Sequence, residues 1–173
     1  MASSERILLV ESDPDISDLI ARQALQPLGY RVDVVGDAGS AIKQAVQSPP
    51  DLLIANLSLP GLSGKDLLVA LSSQGVETPL IVLAEKGQEQ DVIQAFRLGA
   101  TDVLFWPGRD AEVVSVVERV LAQERSIIAD LTAWVKMGAP WPDEKQIKKS
   151  TLSEFNLDKR KKEHWCWQPI RVP

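Results

Sequence analysis

The sequence predicts an α/β fold: a doubly wound parallel sheet of five strands in the order 2-1-3-4-5, followed by a C-terminal helical extension and an irregular tail. Two observations carry this prediction. Short apolar runs alternate five times with longer amphipathic stretches, and alternation at such short spacing is the mark of right-handed βαβ units. The stretch 51–64, DLLIANLSLPGLSG, supplies the second. Its apolar residues Leu52, Leu53 and Ile54 are continuous rather than alternating, as in a strand covered on both faces. Asn56 then ends the strand, and Pro60, Gly61 and Gly64 shape the loop that leads into a helix. Ligand sites of open α/β sheets lie beyond the carboxyl ends of the strands, so Asn56 marks the place where chemistry would occur.

In chain order, residues 7–10 form the first strand. Asp13 as cap and Pro14 at the first helical position start a helix whose apolar face is Ile16, Leu19, Ile20 and Ala24, ending at Pro27 and Gly29. Residues 31–35 are the second strand, and 38–48 a helix that Asp37 can cap. After the central strand, 65–74 is a helix facing inward through Leu67, Leu68 and Leu71. Residues 80–83 form strand four, and 88–98 a polar helix with a thin stripe of Val92, Ile93 and Phe96. Residues 103–106 are strand five, and Asp110 caps the last helix. Val113, Val117, Val120, Ile127, Leu131 and Trp134 continue at spacings of three and four until Gly138 and Pro140. That stripe suits a helix running on past the domain and available for dimerisation. Two helices with a break near Gln123 fit the same residues.

Charge divides the chain. Through Arg125 there are 10 Lys and Arg against 18 Asp and Glu, a net −8; from Ser126 onward there are 9 against 6, a net +3. Only Trp106 of the five tryptophans lies in the first part. We therefore divide the chain into a domain at 1–125 and an extension with a basic, Trp- and Pro-rich tail at 126–173. No apolar run approaches the ~20 residues of a membrane span, and the start MASSERILLV lacks the apolar core of a signal peptide. The expectation is a cytoplasmic protein without membrane contact. Cys166 is the only cysteine, which excludes an intrachain disulfide.

The ordered features ILLVESDP, DLLIANLSLPGLSG, PLIVLAEKG and GATDVLFWP, spanning roughly residues 5–121, resemble the receiver domains of bacterial two-component response regulators. The resemblance implies their flavodoxin-like sheet and a place in signal transduction. In that family an aspartate ending strand three is phosphorylated, with Mg²⁺ held by it and by an acidic pair after strand one. Phosphoryl transfer to a carboxylate needs an anionic nucleophile, a divalent ion and a cation at the transferred group. Here the phosphoacceptor position is Asn56, and the acidic pair is Glu11 and Ser12. The hydroxyl residue ending strand four aligns with Ala84, the lysine before proline with Trp106, and the switching aromatic of strand five with Val103. Glu11 keeps a carboxylate on a longer side chain, and each of the other replacements removes a group the family's switch uses. An indole can fill a vacated polar pocket, provided its N–H finds a partner.

The expectation is a degenerate, phosphorylation-independent receiver that is not an enzyme. It would act by protein contact, with a working phospho-receiver serving an output domain outside this chain as the alternative. Glu11 and Asp13 are the remaining weak candidates for metal, and Mg²⁺ binding is expected to be weak or absent, since Mg²⁺ leans on carboxylates in octahedral geometry. No cofactor is expected. Ser12, Ser58 and Ser63 read as loop residues and Lys86 as surface. The resemblance places contacts with a protein partner, or with a second copy in a homodimer, on the face of helix four, strand five and helix five.

The tail interleaves basic and aromatic residues, a composition that also occurs in single-strand nucleic-acid binders. The small charge excess and the lack of a recognised motif predict no direct nucleic-acid contact. His164 and Cys166 are too few for a metal site, and no C-x-x-C-H is present for a c-type haem. Two tail segments resemble linkers that follow cytochrome-c-like domains, and without a haem motif no function carries over from them. HWCWQP is a candidate docking peptide, because Trp is a favoured interface anchor.

Overall fold

The computed structural model describes residues 5–136. Five parallel strands form one sheet in the order β2-β1-β3-β4-β5: β1 is Arg6–Val10, β2 Arg31–Val35, β3 Leu52–Asn56, β4 Leu80–Glu85 and β5 Asp102–Trp106. This is the flavodoxin-like order the sequence predicts. Strand β1 pairs on one side with β2 (Leu8 opposite Asp33) and on the other with β3 (Leu8 opposite Leu53). Every residue of β3 is buried, which explains its unbroken apolar run.

Successive residues of each strand point to opposite faces, so the sheet serves two cores. One gathers Leu8, Val10, Leu53, Ala55 and Val82 under α2 (Ala38–Gln47), α3 (Gly64–Ser73) and α4 (Glu89–Leu98). The other gathers Ile7, Leu9, Leu52, Ile54, Ile81 and Leu104 under α1 (residues 14–28) and the first half of α5 (Asp110–Lys136). Helix α1 begins at Pro14–Asp18, widens into a π-helical segment over Leu19–Leu25 and closes with a 3₁₀ turn at Gln26–Leu28. The π-helical stretch departs from the regular helix expected there: the Gln26 N–H reaches back five residues to the Ala21 carbonyl. Gly29 ends the helix at φ 91°, a left-handed conformation that glycine adopts freely.

Helix α5 is continuous over Asp110–Lys136, so the break considered near Gln123 does not occur. No Gly or Pro stands between Ala111 and Lys136 to interrupt it. Asp110 is its first residue rather than its cap, and the Arg109 carbonyl accepts from the N–H groups of Glu112 and Val113. The compact α/β unit ends at Glu124. Gly138, Pro140 and the tail, including His164, Cys166 and HWCWQP, lie outside the described residues. Among the described residues no helix is long and apolar enough to cross a membrane.

Candidate functional site

The carboxyl ends of β1 and β3 lie side by side, with Val10 opposite Ala55. One residue further along each strand, Glu11 and Asn56 meet. They are the two buried polar or charged residues of the described core, 3% and 7% exposed. Burial of a carboxylate requires donors, and Glu11 has two. Its Oε2 accepts from Asn56 Nδ2 at 2.8 Å, and its Oε1 accepts from the Asp13 backbone N–H at 2.9 Å. The other end of the Asn56 amide is also engaged, with Oδ1 accepting from the Ser58 N–H at 2.8 Å.

Local sequence explains how these groups are held. Asp13 Oδ1 accepts from the N–H groups of Asp15 and Ile16 and caps α1, with Pro14 at the first helical position. The same turn presents the Asp13 N–H to Glu11. Beyond β3, the Leu57 N–H donates to the Leu83 carbonyl, and the Gly64 N–H returns to the Leu57 carbonyl. A Cβ on Gly64 would lie 2.6 Å from the Asn56 carbonyl oxygen, so the close return of the loop needs glycine.

The remaining positions are spread along the same sheet edge. Ala84 is buried one residue past Leu83, the residue opposite Asn56. Val103 is half-buried and packs on the core beneath α2, α3 and α4, whereas Trp106 is half-buried against the opposite core. Trp106 thus adds apolar area to the layer of α1 and α5. Ser12 and Lys86 are exposed. Glu11 is therefore in direct contact with both Asp13 and Asn56, while Ala84, Val103 and Trp106 contribute apolar surface.

Three residues of this edge have roles that the sequence reading did not assign. Ser58 Oγ accepts from Gln88 Nε2 at 2.7 Å, and Gln88 Oε1 accepts from the Glu85 N–H at 2.7 Å. Ser63, read as a loop residue, caps α3: its hydroxyl accepts from the Asp66 N–H, and the Asp66 carboxylate accepts from Ser63 in return. The S-x-x-D spacing was a legible signal for the cap. Thirty residues separate Ser58 from Gln88, and no spacing rule joins them. Among the described residues no three His, Cys, Asp or Glu side chains gather as a metal site would require.

Fold and strand-end site together define a doubly wound domain of the receiver type. The chain belongs to the response regulator receiver domain family, whose sequence pattern matches residues 7–118. It is 32% identical over 139 residues to the alkaline phosphatase synthesis transcriptional regulatory protein SphR of Synechococcus elongatus, covering 75% of this chain and 54% of the relative. To the transcriptional activator protein PfeR of Pseudomonas aeruginosa it is 37% identical over 123 residues, covering 70% of this chain and 39% of the relative. The chain thus spans about half or less of the length of these curated relatives. The receiver domain of NtrX from Brucella abortus superposes with a TM-score of 0.64 at 30% identity, covering 67% of this chain and 98% of that structure.

Proposed function

We propose that this receiver domain works in two-component signalling without accepting a phosphoryl group, as a non-enzymatic module of protein contact. The observation that carries the reading is the Asn56 amide seated on the buried Glu11 carboxylate. A neutral amide is no nucleophile for phosphoryl transfer, and here its nitrogen already serves as the donor to Glu11. Ala84 offers no hydroxyl and Trp106 no cation. The donor set also fits Mg²⁺ poorly: both Glu11 oxygens accept N–H groups, Asp13 Oδ1 accepts two more, and Ser12 is uncharged. No cofactor enters the proposal.

The contact face we assign is that of α4, β5 and α5, for either a protein partner or a second copy. Ile93, Phe96 and Phe105 are each more than 40% exposed there, an apolar grouping suited to association. Neither nucleic acid nor membrane has a role in this reading, which places the domain in the cytoplasm.

The names of the relatives favour a second reading, a working phospho-receiver that regulates an output domain outside this chain. SphR and PfeR are named as transcriptional regulators and are longer than this chain. Incubation with acetyl phosphate and Mg²⁺, followed by intact-mass measurement, separates the two. The expected result is an unchanged mass. A stable gain of one phosphoryl group would establish the second reading instead.

A further inference from the structure

The hydrogen bonds around Asn56 do not stop at the pocket. From the Asp13 N–H they run to Glu11, from Glu11 to the Asn56 side chain, and from there to the Ser58 backbone. The Ser58 hydroxyl takes up the line with Gln88 Nε2, and Gln88 Oε1 holds the Glu85 N–H. Three loops are joined in this way: those following β1, β3 and β4. Two members of the line stand at helix starts. Asp13 caps α1, and the Gln88 carbonyl accepts the first bond of α4, from the Val92 N–H at 3.0 Å.

We propose that this relay is a standing tie that fixes the N-terminus of α4 to the Asn56 pocket through the Ser58–Gln88 hydrogen bond, with Gln88 as the positioning residue. The proposal rests on the reading that Asn56 carries no phosphoryl group: the tie uses side chains and backbone groups already in place, so no ligand is needed to form it. The chemistry of each link supports a permanent connection. Asn56 is a donor on one side and an acceptor on the other, and a carboxylate, which only accepts, could not replace it between Glu11 and the Ser58 N–H. Gln88 has the same two-ended character and uses both ends. No side chain caps α4 at Gln88, so the Gln88 side chain is committed to the tie rather than to its own helix. Lys65 holds the same helix from the α3 side, with Nζ on Asp91 of its first turn at 2.6 Å and on Gln94 at 2.8 Å.

Amide hydrogen exchange on the full chain tests the tie. In Ser58→Ala the Glu85 and Val92 amides should exchange roughly fivefold faster, the effect of losing one net hydrogen bond. The Leu67 and Leu71 amides of α3 should keep their native rates, which separates local release from general loosening. Gln88→Ala should do at least as much, and the double variant no more than Gln88→Ala alone, because both substitutions break the same bond. Ser58→Thr, which keeps the hydroxyl, should restore native rates. Unchanged Glu85 and Val92 rates in Ser58→Ala, or effects of the two substitutions that multiply, would overturn the proposal. Treating the same samples with acetyl phosphate and Mg²⁺ reads the underlying premise separately: a phosphoryl adduct would remove the phosphorylation-independent reading, while the exchange rates alone decide whether the tie exists.

Discussion

Asn56 contributes one side-chain amide, and both of its ends are committed. Asn56→Asp would remove the donor to Glu11 and set a second carboxylate at a contact of 2.8 Å in a buried site. No cation stands at Trp106 to offset it. We expect a loss of about 1–3 kcal/mol at neutral pH, the cost of a buried acceptor left without its donor, read as a lower urea midpoint with an unchanged slope. We also expect no gain of phosphorylation, because Ser12 and Trp106 still withhold an acid and a cation. A higher midpoint without metal would mean that the site accepts the acid it lacks. The position of Asn56 was legible because β3 is a continuous apolar run ended by one polar residue. That Glu11 is its partner came through the family resemblance, since 45 residues of sequence separate the two. Gln88 was not legible as a member of the site, because its role arises only where two loops from different βα units meet.

Helix α3 shows what a cap does at the next scale. The Ser63 side-chain and backbone hydrogen bonds hold the Asp66 carboxyl below its ordinary value of 3.8. Bonds from Ser40 do the same for Asp37, and those of its own and the Gly87 N–H do so for Glu89. A carboxyl depressed on folding adds stability that is full above its unfolded value and is lost as pH falls through the lower folded one. Stability should therefore decline in acid, from the ordinary carboxyl range downward. Ser63→Ala should cost about 1 kcal/mol at neutral pH and make the acid decline shallower; urea midpoints between neutral and acid pH check both. Equal losses at every pH would show that Ser63 acts without Asp66. The elements themselves were legible from turn residues and apolar spacing, with ends displaced by one or two positions. The π-helical segment of α1 was not, because a template of 3.6 residues per turn cannot register a local i to i+5 step. The spacing of α5 allowed one helix or two, and absence of a breaking residue decided for one.

Across the whole α/β unit, stability is concentrated in the three inner strands. Ile54 is fully buried in β3, and Ile54→Ala should cost about 2–5 kcal/mol, whereas Val69→Ala, at a position 51% exposed on α3, should shift stability by less than about 0.5 kcal/mol. Thermal melts of the two variants test that contrast, and comparable losses would place the core elsewhere. The strand order also dictates how the chain can be assembled during synthesis. β1, made first, ends in the middle of the sheet and hydrogen-bonds to both β2 and β3. Once residues 52–56 have joined it, β3 presents an open row of backbone donors and acceptors until residues 80–85 are made. A nascent chain halted in that interval would display a strand apolar in four of its five residues as a template for other strands. The order that buries Asn56 at the centre of the finished sheet thus leaves its strand the most adhesive part of the unfinished one.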